Sequence, residues 1–250
     1  RQMSARPAPT WAMPRVCAHR CGGSLAPENT LAGLPLARAL GLRAVEFDVM
    51  LSADGSPWVI HDETLERTTD GQGQVCATTD AQLAALDAGG YQHRSFAGEP
   101  LPTFAAVAQR CRELGLLANV EIKPAAGFEA QTGEVVARAI VELWRGAAWP
   151  LVSSFSEVAL AAARRVVPQL PLGLLCDRPP ADWRQRLAAV DGYSLHCNAN
   201  AIDDETLAEA ARAGVPVLCW TVNAPVQAST LFARGVTSVF ADRIDLLHCF

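Results

Sequence analysis

The sequence predicts an α/β protein built as a (β/α)8 barrel, with a small insertion and a β-arm at the C-terminal rim. Three observations carry this expectation. Eight short apolar runs rich in β-branched residues alternate with helical patterns, which favours a closed parallel barrel over an open sheet. The 250 residues, half of them hydrophobic, suffice for one large core and match the usual length of such a barrel. A ninth extended run follows the second after so short a connection that it must turn back on it as a hairpin.

The eight staves are placed at 15–20, 43–49, 117–123, 150–154, 172–177, 192–197, 215–222 and 237–241. Helix punctuation supports the alternation. Asp203 can cap a helix that ends near Gly214, and Asn223, with Pro225 in the first turn, can start one that ends before Gly235. Pro35 falls where the first helix should continue. An interior proline costs about 3 kcal/mol, so a kink or a late start is expected there. The run 57–61 follows Asp54-Gly55, a hairpin dipeptide, so it lies antiparallel to the second stave as a β-arm above the rim. Residues 63–100 then read as an insertion over the mouth. It holds one short helical stretch, 80–87, and too few apolar residues for a core of its own. One domain spanning 1–250 is the expectation.

A formal net charge of −5 without a basic run argues against nucleic acid or an anionic membrane as the main partner, and favours a small-molecule substrate. Eight cysteines at irregular spacing include Cys17, Cys176, Cys197 and Cys219 inside strand-like runs. This predicts buried free thiols in a reducing compartment. No CxxC pair suggests a thiolate zinc site. No run is long and apolar enough to span a bilayer, and the first 14 residues lack the apolar stretch of a secretory signal, so the chain reads as cytoplasmic.

The chemistry concentrates early. His19 and Arg20 precede Gly22 and Gly23; Glu28, Asn29 and Thr30 follow; then come Glu46, Asp48 and His61. Such groups are costly to gather unless a metal and an anion sit among them. Residues two apart on a strand face the same way, so Glu46 and Asp48 point together into the lumen, and Glu121 and Lys123 repeat the spacing on the next stave. Carboxylates this close repel unless a cation joins them, and oxygen donors favour a hard divalent ion such as Mg²⁺ or Ca²⁺, with Mn²⁺ a further option. The competing reading is plain salt bridges, Glu46 to Arg20 and Glu121 to Lys123. His19 and His61 can reach the same mouth and share general acid and base duties. Arg20 as a fork and Lys123 as a point charge would grip phosphate. Glu28 could bind the metal or a substrate hydroxyl. Trp220 and Phe155 could wall the pocket. Asn29 and Thr30 read first as helix caps. His93, His196 and His248 read as structural, with His196 placed to reach the pocket.

These residues closely resemble the glycerophosphodiester phosphodiesterase family, in its cytoplasmic form. The matching pieces run in order along nearly the whole chain. They are Ala18-His19-Arg20, Pro27-Glu28-Asn29-Thr30, Glu46-Phe47-Asp48, His61-Asp62 with Arg67-Thr68-Thr69, Val120-Glu121-Ile122-Lys123, Trp220-Thr221-Val222-Asn223 and Ala241-Asp242-Arg243. The resemblance implies a (β/α)8 TIM barrel, a divalent ion on Glu46, Asp48 and Glu121, and a catalytic pair at His19 and His61. It further implies hydrolysis of glycerophosphodiesters to glycerol 3-phosphate and an alcohol, through attack by the neighbouring glycerol hydroxyl. Cys21 departs from the family's usual glycine. If that position needs positive φ, the cysteine strains the loop by roughly 1–2 kcal/mol. Two alternatives stay open: a binding protein that keeps the phosphate grip without turnover, and a barrel phospholipase acting on lysophospholipids.

Overall fold

The structure, a computed structural model, describes residues 8, 9 and 12–250. The expectation for the first 14 residues therefore falls mostly outside the described residues.

The strands are β1 (Val16–Ala18), β2 (Ala44–Leu51), β3 (Pro57–Val59), β4 (Leu117–Ile122), β5 (Leu151–Ser154), β6 (Leu172–Cys176), β7 (Ser194–Asn198), β8 (Val217–Trp220) and β9 (Ser238–Ala241). All but β3 run parallel, and β1 pairs with both β9 and β2, which closes an eight-stranded barrel. β3 returns antiparallel on β2, with Val59 opposite Val49 and Trp58 opposite Met50. Gly55, at φ +78°, makes the turn that the Asp54-Gly55 pair predicts. Strand ends differ from the sequence reading by a few residues. The first stave is shorter, so His19 and Arg20 sit in the loop after β1.

The helices between staves are α1 (Gly33–Ala39), α3 (Phe104–Leu114), α4 (Glu129–Leu143), α5 (Glu157–Val166), α6 (Trp183–Ala189), α7 (Asp204–Ala213) and α8 (Pro225–Ala233). α2 (Asp80–Ala84) lies in the insertion and α9 (Ile244–Leu247) follows β9. Asp203 caps α7 through Thr206 N, and Gly214 ends it in the left-handed conformation, as expected. Pro35 is the third residue of α1, so the helix starts late and the missing N–H would have had no helical acceptor. Two capping expectations are corrected. Ala224 is the residue that precedes α8, while Asn29 and Thr30 lie ahead of α1 without capping it.

Every residue of β2 is buried, and its alternation positions the site. Val45, Phe47 and Val49 face the helices, where the Phe47 ring lies 6.0 Å from Phe104 and Phe104 lies 5.8 Å from Trp144. Burying each such ring contributes about 1.5–3 kcal/mol. Ala44, Glu46 and Asp48 take the opposite face, into the lumen. Below the two carboxylates, Ala44 joins Cys17, Leu151, Leu218 and Phe240 in an apolar plug. The polar groups are thereby held toward the C-terminal mouth. The insertion packs no core from its own residues alone: Leu65, Val75, Leu83 and Ala88 join Met50, Trp58, Ile60, Leu101 and Ala125 in one apolar cluster. It is seated on the rim by residues of β2 and β3. All eight cysteines are free thiols; Cys17, Cys197 and Cys219 are buried as expected, whereas Cys176 is only half-buried.

Candidate active site

The register of the barrel assembles the carboxylates. Parallel pairing sets Glu121 beside Asp48 and Asn119 beside Glu46. Glu46, Asp48 and Glu121 each offer a ligand atom, and these atoms all lie within 4.8 Å of one another. Burial, followed by the charge of Asp48, pushes the carboxyls of Glu46 and Glu121 up to about 8. Glu46 Oε1 and Glu121 Oε1 are buried without a hydrogen-bond partner. Three crowded oxygen donors, two of them with an unsatisfied acceptor, fit a hard divalent cation. The salt-bridge reading explains them less well. Lys123 Nζ stands 3.9 Å from Glu121 Oε1, and Glu46 Oε2 accepts a 3.0 Å bond from the Arg20 backbone N–H instead of from its guanidinium.

Each histidine is held by a carboxylate through one ring nitrogen. His19 Nδ1 lies 2.8 Å from Asp242 Oδ1, and His61 Nδ1 lies 2.7 Å from Asp62 Oδ1. An ionised carboxylate only accepts, so Nδ1 carries the proton in both and Nε2 is left for chemistry. Asn223 Oδ1 in turn accepts the backbone N–H groups of Asp242 and Arg243 at 2.8 and 3.1 Å, which is its task in place of capping. Burial pushes His19 down, but the Asp242 bond and the field of Glu46 prevail and raise it. His61 is lowered, by burial first and by the cations Arg20 and Lys123 against Asp48 and Asp62. Its Nε2 lies 3.2 Å from Lys123 Nζ.

The loop after β1 is tightly wound. Arg20 and Cys21 take φ of +50° and +76°, so Cys21 does occupy a left-handed position. A Cβ on Gly23 would lie 2.2 Å from the Asp242 carbonyl oxygen, and one on Gly22 would lie 2.5 Å from Gly33 Cα. Those glycines permit close backbone approach. Asn29, read as a cap, is instead buried in the site: its Nδ2 donates to Asp48 Oδ2 at 2.9 Å and its Oδ1 accepts from Asp48 N. The Arg20 guanidinium donates from Nη1 to Glu28 Oε1 at 3.0 Å and stands 3.8 Å from Asp48 Oδ2. Glu28 lies beside the main cavity, in an adjoining groove with Tyr91 and Gln92.

A cavity of about 330 Å³ joins His19, Arg20, Glu46, Asp48, His61, Glu121 and Lys123. Phe155 and Trp220 wall it, with their rings edge-on at 5.9 Å. His196 also lines it, buried, with Nε2 2.8 Å from Ser194 Oγ in the space that Gly173 leaves open. Burial pushes its pKa down to about 3, so it is neutral. His93 and His248 lie outside the cavity, bonded to Ser95 and to the Asp245 carbonyl.

Sequence reasoning gave Asp242, Asp62 and Arg67 no task in the site, and gave Asn223 only a helix start. A signal for Asp242 was its place directly after the last stave, at the barrel end where such sites are built.

A closed parallel barrel with carboxylates, imidazoles and paired cations at its C-terminal mouth suits a hydrolase that cleaves phosphodiesters, and the family match below shows that class. The chain belongs to the glycerophosphoryl diester phosphodiesterase family, whose model matches residues 19–246. It is 33% identical over 233 residues to a glycerophosphodiester phosphodiesterase of Caldanaerobacter subterraneus, covering 93% of this chain and 95% of the relative. A phosphodiesterase of Oleispira antarctica, solved with the product sn-glycerol-3-phosphate, superposes with a TM-score of 0.87 at 36% identity, covering 92% of this chain and 94% of that one. A glycerophosphodiester phosphodiesterase of Agrobacterium tumefaciens gives 0.77 at 27% identity, over 95% of this chain and 100% of that one. Among the described residues no helix is long and apolar enough to cross a membrane.

Proposed function

We propose that this chain hydrolyses small glycerophosphodiesters to sn-glycerol 3-phosphate and an alcohol, with His19 and His61 as the acid–base pair and one divalent cation on Glu46, Asp48 and Glu121. The observation that carries the reading is the pairing of both imidazoles, each tied to a carboxylate through Nδ1, around one cavity that holds the carboxylate trio. The product complex of the Oleispira relative supports the product class.

Glu46, Asp48 and Glu121 would hold the cation, and Mg²⁺, Ca²⁺ or Mn²⁺, each suited to these donors, would supply polarisation of a phosphate oxygen. Arg20, oriented by Glu28, and Lys123 hold the remaining phosphate charge. One histidine takes the proton from the glycerol hydroxyl beside the ester as its oxygen bonds to phosphorus. The other gives a proton to the head-group oxygen as its bond to phosphorus breaks. Water then opens the cyclic phosphate with the two roles exchanged. Trp220 and Phe155 offer apolar faces to the glycerol carbons, and Glu28 keeps acceptor capacity for a hydroxyl at the rim. Among the described residues that line the cavity none is set aside for the alcohol, so head groups are tolerated broadly. The free thiols favour a reducing, cytoplasmic setting.

The test is turnover of glycerophosphocholine and glycerophosphoethanolamine, with chelator and with metal added back. The reading expects similar rates for the two, loss with chelator and recovery with metal. Full turnover in excess chelator removes the cation from the account, and no turnover of any glycerophosphodiester with any of the three metals contradicts it.

A further inference from the structure

Arg67 opens the insertion, five residues after Asp62, and the reaction as derived above gives it no task. Its one guanidinium makes four bonds. Nε and Nη2 donate to Asp62 at 2.6 and 2.9 Å, and Nη1 and Nη2 donate to Glu28 at 2.9 and 2.7 Å. Both carboxylates are gripped as forks, which an ammonium cannot do. Each also holds one side chain of the site: Asp62 Oδ1 meets His61 Nδ1 at 2.7 Å, and Glu28 Oε1 accepts from Arg20 Nη1 at 3.0 Å.

A stabilising role is a poor account of this hub. The Arg67 side chain is 47% exposed, and ion pairs so close to water add little to stability. The rest of the insertion fixes the same loop from outside. Tyr91 Oη accepts from Glu28 N, Gln92 Nε2 donates to Ser24 O, and Glu99 Oε1 accepts from Ala32 N, all at 3.0–3.1 Å. The backbone of Glu28 is thus pinned by Tyr91 and its carboxylate by Arg67. With both ends of Glu28 fixed, the Arg20 guanidinium is aimed from the insertion side.

We propose that Arg67 is a positioning residue that sets Arg20 and His61 in one geometry, acting through Glu28 and Asp62. The inference rests on the roles given to Arg20 and His61 above. The phosphate grip and the proton-transfer nitrogen are then placed by a single group, and loss of that group disturbs both binding and chemistry.

The experiment measures kcat and KM for glycerophosphocholine and inhibition by glycerol 3-phosphate in Arg67→Gln and Arg67→Lys. Misplacement of reacting groups by fractions of an ångström predicts a fall in kcat of about 10–100-fold in Arg67→Gln. Inhibition by the product should weaken in parallel, because Arg20 loses its aim. Arg67→Lys should recover only part of either, since it can meet one carboxylate at a time. A merely structural residue would lower the melting temperature and the active fraction without moving kcat and product affinity together. In a Glu28→Gln/Asp62→Asn background the further change Arg67→Gln should cost less than about threefold, because the partners through which it acts are gone. Arg67→Gln with kcat and KM within threefold of the parent overturns the proposal, and so does an undiminished loss in the double background. Should Arg67→Gln not fold, the charge-retaining Arg67→Lys carries the same criterion, and parental rates there overturn it. Arg20→Gln and His61→Asn are measured alongside. Parental rates in those two variants would sink the site assignment itself, whereas their loss beside intact Arg67 variants sinks only the hub.

Discussion

Asp242→Asn isolates the group that fixes His19. The Nδ1 to Oδ1 distance of 2.8 Å is that of a charge-assisted bond, and such bonds contribute about 1.5–3 kcal/mol. Asp242 is 38% exposed, and water takes its place readily, so the lower half of that range applies. At about 1.4 kcal/mol per factor of ten, kcat should fall roughly 10–40-fold. The amide keeps the shape and the backbone bond to Asn223, so the variant should still fold, with stability altered only through the His19 pair. The pH profile gives a second readout. His19 is raised because its bond to Asp242 and the field of Glu46 outweigh burial, so removing the carboxylate should move the His19 limb to lower pH. The sign also holds for stability. A histidine raised in the folded state stabilises below its unfolded pKa, and that contribution is lost as pH rises through the folded value, so the variant should show a flatter stability curve across that window. Steady-state kinetics from pH 5 to 9 with urea unfolding at both ends checks this. An unchanged kcat with an unmoved limb would refute the reasoning.

Cys21 sits fully buried at φ +76°, so Cys21→Gly should be more stable than Cys21→Ala by about 1 kcal/mol in urea unfolding, because both lose the thiol and only glycine sheds the strain. A lower or equal stability for glycine would mean that the position carries no strain. A diester lacking the glycerol hydroxyl beside the ester should be hydrolysed far more slowly than its parent; a normal rate would replace internal attack with attack by water. Asn29→Ala removes both bonds to Asp48 and should weaken the metal dependence of turnover about 10–100-fold, read as the metal concentration for half-maximal rate.

The parts of this molecule that could be read from sequence are those whose partners lie at a fixed spacing. Glu46 and Asp48 show themselves by the strand period of two, and β3 by Asp54-Gly55. Asp242 does not, because its histidine is 223 residues away and only closure of the barrel through β1 and β9 brings them together. Asn29 and Asn223 were misread for a different reason. Asparagine before a helix usually caps it, and nothing local says that its amide is instead spent on Asp48 or on the backbone beyond β9. The apolar cluster under the insertion is not legible from 63–100 alone, because five of its nine buried members, Met50, Trp58, Ile60, Leu101 and Ala125, lie outside it.

The central claim is that His19 and His61 act as one acid–base pair beside the carboxylate trio. The most direct measurement is kcat for glycerophosphocholine in His19→Asn, His61→Asn and the double variant, with folding checked by circular dichroism. Each single change should lower kcat by about 10²–10⁴-fold, and the double should be little worse than the slower single, since the groups work as a unit. Near-parental kcat in either single variant would contradict the account.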